Sequence, residues 1–83
     1  MDYKANRRVE ASARTFAIVE HLSTVDSVGV STLASELEMS KGIIHNHLST
    51  LRELGYVTKI GDEYQLSPKC LLVGLQARSR SKL

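Results

Sequence analysis

Two histidines and an asparagine occupy consecutive positions in the stretch MSKGIIHNHLSTLRELGYV, residues 39–57. Imidazoles bind metals or move protons, and a carboxamide can pair with a base edge, so spacing must decide which chemistry is open. His45 and His47 are two residues apart, which on a helix separates them by about 200° and leaves them no common ligand position. The i, i+4 spacing of a helical zinc pair is missing. No serine, cysteine or carboxylate can be tied by spacing to His21 or His45 as a catalytic pair. The single cysteine, Cys70, allows neither an internal disulfide nor a CxxC zinc half-site, and suits a small packed apolar position better than a redox one. The expectation is therefore no enzyme, no metal and no cofactor. Recognition remains: Asn46 can make a bidentate contact with adenine, against the plainer alternative of a solvated polar side chain.

The elements that would hold these residues can be read from the same stretch outward. Ser40 is a good N-cap for a helix over residues 40–54, and Met39 and Ile44 occupy the two positions of a hydrophobic staple. At about 100° per residue Ile44, Leu48 and Leu51 line one side, while Gly42, Asn46, Ser49 and Glu53 lie nearly opposite. Gly55 ends the helix as a C′ glycine would. Upstream, residues 1–10 are polar and without period, and read as an arm. Ser12 can cap a first helix whose stripe is Phe16, Ile18, Val19, Leu22 and Val25. TVDSVG interrupts it, and Ser31 caps a short second helix carrying Leu33, Ala34 and Leu37. Val30, just before, is a candidate for a strand of one or two residues. Downstream, YVTKIGDEYQL reads as a hairpin turning at Gly61 and Asp62, with Val57 opposite Leu66 and Lys59 opposite Tyr64, so that Val57, Tyr64 and Leu66 share the core side. Ser67 and Pro68 make an N-cap and N1 pair for a last helix. Leu71, Leu72 and Leu75 lie on one side of that helix, and Cys70, Val73 and Ala77 on another. That is more apolar surface than one small core needs.

Eighty-three residues make one domain, burying only about 60–65% of the surface its unfolded chain exposes. Nothing resembles a leader sequence, and no apolar run approaches the roughly 18 residues of a membrane span, so a soluble chain of the cytoplasm is expected, with no membrane partner. The formal net charge is only +2. Its distribution says more: residues 15–38 contain no lysine or arginine, whereas Lys4, Arg7, Arg8 and Arg14 precede them and Lys41, Arg52, Lys59, Lys69, Arg78, Arg80 and Lys82 follow. A fold that gathers the two basic regions would present a positive face to a polyanion. Scattered surface charge without a partner is the other reading.

Helix, short helix, tight turn, longer helix, two-stranded hairpin, helix is the order of a winged helix-turn-helix domain, a mainly α fold with a small β-hairpin. The second and third helices would bury Leu33, Leu37, Ile44 and Leu48 against the first, leaving the far side of the third free for a major groove about 12 Å wide. On the segments STLASELEMSKGIIHNHLSTLRELGYV, YQLS and LLVGL the chain resembles the N-terminal DNA-binding domain of the IclR family of transcriptional regulators, over roughly residues 9–76. It departs from that family's pattern at Glu38, where a turn glycine is common, at Ser40 for proline, at Gly42 and Ile43 for a Ser-Thr pair, and at Asn46 and His47 for arginine and leucine. The departures fall on the DNA-facing half and so bear on the preferred DNA sequence more than on the fold. The resemblance implies a homodimer on a roughly palindromic site, and a small-molecule effector only where a C-terminal effector domain is present. Residues 1–10 would then be a basic arm, 11–67 the DNA-binding domain, and 68–83 a helix that dimerises or leads to an effector domain.

Within that reading Asn46 reads a base, Lys41, Ser49 and Thr50 touch phosphate, and Gly42 allows close approach. The backbone at Ser40, and Thr32 on the second helix, add phosphate contacts near helix N-termini. His45 flanks the exposed face and can serve base or phosphate, whereas His47 lies toward the buried side as a partly buried, hydrogen-bonded residue. Lys59 beside Gly61 would let the wing follow a phosphate backbone or a minor groove, or else guards a strand edge. Arg7 and Arg8 can reach a minor groove as an arm, and Arg14 a phosphate. A nucleoid-associated regulator acting by occupancy is the function expected. A winged-helix protein-interaction module that never touches DNA is the alternative.

Overall fold

The structure is a computed structural model that describes residues 3 and 9–81, apart from the side chains of residues 75 and 77–81. The described residues form four helices, α1 (Glu10–Leu22), α2 (Val30–Leu37), α3 (Lys41–Glu53) and α4 (Pro68–Ser81), and three strands, β1 (Val28–Gly29), β2 (Val57–Ile60) and β3 (Glu63–Leu66). The strands make one antiparallel sheet in the order β1-β3-β2. The hairpin register is the expected one, Val57 opposite Leu66 and Lys59 opposite Tyr64, turning at Gly61, whose φ of 61° suits a residue without a Cβ.

The core gathers one stripe from each of the first three helices and one face of the sheet. Ile18, Leu22, Leu33, Ile44 and Leu48 are fully buried, joined by Val28, Ala34, Leu51, Val57 and Tyr64. Met39, in the staple position, packs partly buried against this cluster, as do Val19, Leu37, Tyr56 and Leu66. The stripe of α1 is narrower than its sequence suggests. Ile18 and Leu22 are buried and Val19 partly so, but Phe16 is 65% exposed, and Val25, past the end of the helix, is 37% exposed.

Three expected boundaries move. The first helix begins at Glu10 on Val9, which gives no side-chain cap, so Ser12 lies inside it. The Glu10 carboxylate in the first turn faces the positive end of the helix, and Ala11 favours helix, which together carry it two residues beyond Ser12. The second helix begins at Val30 on Gly29, again without a side-chain cap, and Ser31 is in its first turn. Pairing of Val28 with Tyr64 and of Gly29 with Glu63 holds the chain extended up to that point. The short strand is therefore Val28–Gly29, and Val30 is already helical.

Both helices of the helix-turn-helix stop by the same device. In α2 the Met39 amide donates to the Ala34 carbonyl at 3.0 Å, and in α3 the Tyr56 amide donates to the Leu51 carbonyl at 2.9 Å, the six-to-one bond of a Schellman motif. Each needs a left-handed residue. Gly55 supplies it after α3 at φ 91°, but after α2 it is Glu38, at φ 54°. The start of α4 is tied to the end of α3: the Ser67 hydroxyl donates to the Gly55 carbonyl, and the Lys69 ammonium donates to the Leu54 carbonyl at 2.8 Å while lying 4.8 Å from the Tyr56 ring centre. Ser67 thus opens the last helix with its hydroxyl turned back toward α3.

Candidate nucleic-acid interface

The recognition candidate α3 has an inward side, an outward side and two unlike flanks. Its inward side is Ile44, Leu48 and Leu51, all buried. The opposite side presents Gly42, Asn46 and Ser49, all exposed. Ser40 caps the helix as its sequence predicts, its Oγ accepting from the Ile43 amide at 3.1 Å. At Gly42 the surface is open: a Cβ added there would meet only Ser40 Oγ, at 4.0 Å. Among the described residues the Asn46 carboxamide has no hydrogen-bond partner, so both its donor and its acceptor are free for a base edge. Thr50 fits its expected role less well. Its hydroxyl proton goes to the Asn46 backbone carbonyl at 3.2 Å, which leaves only lone pairs for a ligand.

The two flanks of α3 differ. On one, His45 turns toward the wing and lines an open groove of about 440 Å³ together with Ser31, Thr32, Lys59 and Tyr64. The structure thus brings Thr32, His45 and Lys59 together, three residues from three elements. Lys59 lies 5.8 Å from the Tyr64 ring centre, and neither it nor Lys41 has a carboxylate within ion-pair distance among the described residues. Asp62 and Glu63 line the same groove and limit its positive charge, although the Ser27 hydroxyl donates to the Glu63 carboxylate. On the other flank His47, half-buried as expected, meets the Thr15 hydroxyl of α1 at 2.9 Å. Periodicity could place His47 toward the interior, but nothing in either segment signals a pairing across 32 residues.

Arg14 is half-buried on α1 and is not among the residues lining the groove. Arg7 and Arg8 lie outside the described residues. Among the described residues no group of three histidine, cysteine, aspartate or glutamate side chains could hold a metal ion, and no helix is long and apolar enough to cross a membrane. Cys70 is half-buried rather than fully packed. It lines an apolar groove of about 360 Å³ with Phe16, Val19, Leu54, Tyr56 and Val73, on the side where α4 leaves the domain. Leu71 and Leu72 are also exposed.

Comparison with known proteins agrees with this architecture. The crystal structure of Pseudomonas aeruginosa HmgR superposes with a TM-score of 0.78 over 87% of this chain and 32% of that one, at 24% identity, a likeness of fold. The HTH-type transcriptional regulator KdgR of Dickeya chrysanthemi is 30% identical over 71 residues, 83% of this chain and 23% of KdgR. The probable HTH-type transcriptional regulator ArcR of Halobacterium salinarum is 30% identical over 78 residues, 93% of this chain and 30% of ArcR. The chain thus spans about a quarter to a third of the length of these relatives. The family profile described as "Bacterial regulatory protein, arsR family" matches residues 17–59, from the middle of α1 to Lys59 in the wing and just over half of the chain. With that match lying across the whole helix-turn-helix, this winged helix-turn-helix protein belongs to the arsR family of bacterial regulatory proteins.

Proposed function

We propose that this chain is the DNA-binding part of a transcriptional regulator, and that it binds double-stranded DNA with α3 in the major groove and the β2–β3 wing on the adjacent backbone. The observation that carries this is the outward side of α3: Gly42, Asn46 and Ser49 are exposed, small or carboxamide side chains, opposite a fully buried stripe. Such a face approaches closely and leaves the Asn46 amide free to pair with adenine. Lys41, Ser49, the helix start at Ser40, and the Thr32, His45 and Lys59 groove then meet phosphates. Arg7, Arg8 and Arg14 belong to the same proposal as outer contacts.

Two finer readings go with it. The segments over residues 31–57, 64–67 and 71–75 favour an IclR-like regulator. The apolar groove around Phe16, Tyr56 and Val73 favours a homodimer, so that two copies of α3 address a roughly palindromic site in the cytoplasm. A small-molecule effector enters this reading only where a C-terminal effector domain is present. The test is an amide-resolved NMR titration with duplex DNA at low and then higher salt. Shifts at residues 40–50, around Thr32 and around Lys59 that fade as salt rises support groove binding with counterion release. No shift even at low salt overturns it, and shifts confined to the hairpin and α4 with a protein partner would favour an interaction module instead.

A further inference from the structure

We infer that Thr15 and His47 form a positioning pair that sets the roll of α3, and through it where Asn46 points; the inference rests on the DNA-binding reading above. Packing alone fixes this roll loosely. The inward contacts of α3 are Ile44, Leu48 and Leu51, and aliphatic contacts have no preferred direction. With side chains a helix is about 10–12 Å across, so a rotation of about 10° moves an outward side-chain tip by about 1 Å. That is twice the roughly 0.5 Å tolerance of a working polar constellation. A directional contact on the flank removes this freedom, and His47, about 60° around the helix from Ile44 and about 100° from Asn46, is placed to provide one.

The hydrogen-bond arithmetic assigns the direction of the contact. The Thr15 hydroxyl has one proton, which goes to the Ala11 carbonyl four residues back at 2.9 Å. With that proton so placed, the same oxygen accepts toward His47 Nδ1, also at 2.9 Å. His47 carries its proton on Nδ1 and donates to Thr15, and in the neutral ring Nε2 is left as the acceptor. The tie is half-buried, which limits competition from water, and it anchors α3 to α1 on the flank away from the wing. Thr15 also borders the apolar groove of Phe16, Tyr56 and Val73, so whatever covers that groove bears directly on the tie.

The experiment uses a duplex enriched from a random-sequence pool by the unaltered protein, a scrambled duplex, and three variants. Thr15→Val keeps the shape of the side chain without its hydroxyl, Thr15→Ser keeps the hydroxyl, and His47→Leu removes the donor. Thr15→Val and His47→Leu are expected to lower the preference for the enriched over the scrambled duplex about tenfold, with scrambled-duplex affinity and its salt dependence unchanged, as loss of one base contact predicts. Thr15→Ser should restore the preference. Long-range 1H–15N spectra of the free protein supply a readout that general destabilisation would not move: His47 protonated on Nδ1 in the unaltered and Thr15→Ser proteins, and shifted toward the Nε2–H form in Thr15→Val. An unchanged preference and tautomer in Thr15→Val overturns the pair while leaving DNA binding in place. A pool that yields no preferred duplex overturns the DNA-binding reading itself, and the proposed role of the pair with it.

Discussion

Gly42 offers a test in which stability and function should move in opposite directions. It is the second residue of α3, has an ordinary negative φ, and would lose no packing on gaining a side chain, since only Ser40 Oγ lies within 4.0 Å of an added Cβ. Gly42→Ala should therefore stabilise the fold by about 0.5 kcal/mol, the low end of the glycine cost because the site is in the first turn. Gly42→Glu should add roughly 0.3–1 kcal/mol from a negative charge at the helix N-terminus. If the outward side of α3 enters a major groove, the same glutamate stands against phosphates. Two or three of them at roughly 8 Å, in a water-like dielectric, oppose it by about 0.5 kcal/mol each, or about tenfold in affinity. Urea unfolding and fluorescence anisotropy with a labelled duplex at low salt measure the two quantities on one preparation. A Gly42→Glu protein that is more stable and binds the duplex as tightly as the unaltered chain would refute the orientation of α3 proposed above.

Other perturbations test the fold and its unpartnered surface. Leu48→Ala, at a fully buried position, should cost about 2–5 kcal/mol. Against a total of roughly 4–12 kcal/mol expected for this length, that leaves a marginal domain, visible as a lowered urea midpoint. Glu38→Gly should raise the melting temperature by about 3–6 °C in calorimetry: relief of about 1.5 kcal/mol of left-handed strain, less about 0.75 kcal/mol of added chain entropy, leaves about 0.75 kcal/mol. An unchanged or lower midpoint would mean that the strain at this turn is compensated by contacts of the glutamate itself. Phe16→Glu should weaken self-association more than about a hundredfold in sedimentation velocity, since a symmetric contact buries the ring twice at about 1.5–3 kcal/mol each. A chain that stays monomeric before the substitution removes that reading.

Legibility from sequence followed the range of the forces. The helix α3, its Ser40 cap, its Gly55 stop and the hairpin register could all be read because each depends on residues within about ten positions of one another. The expected serine caps at Ser12 and Ser31 failed for different reasons, the first local and the second tertiary. One helix extended to Glu10, and the other was started by the pairing of Gly29 with Glu63, which no local pattern encodes. Glu38 stood out as a residue where glycine is usual, and the structure gives the consequence in its φ of 54°. At the site, single-element periodicity separated the outward Asn46 and Ser49 from the inward Leu48. It could not bring Thr32, His45 and Lys59 into one groove, nor join Thr15 to His47, because those are contacts between elements.

The division of α3 into sides explains how so small a domain can alter what it recognises without losing its fold. Stability depends on Ile44, Leu48 and Leu51, and the outward positions 42, 46 and 49 touch nothing that holds the core together. Substitutions there leave folding almost unchanged, apart from small helix-propensity terms, and under the proposed orientation they would act on the DNA. The flanks are where the two demands meet. His45 and Lys59 border the wing groove, and His47 ties the helix to α1, so under the inferred role of that tie a change at this flank would shift the outward face. The departures from the IclR pattern at Gly42, Ile43, Asn46 and His47 span both regions. Those at Gly42 and Asn46 would, in the proposed orientation, alter which groups are offered to the groove. That at His47 would alter the angle at which they are offered, since a leucine in its place would leave the Thr15 hydroxyl without its imidazole partner. A regulator of this type changes specificity in two separable ways, by the identity of its outward residues and by the roll of the helix that carries them.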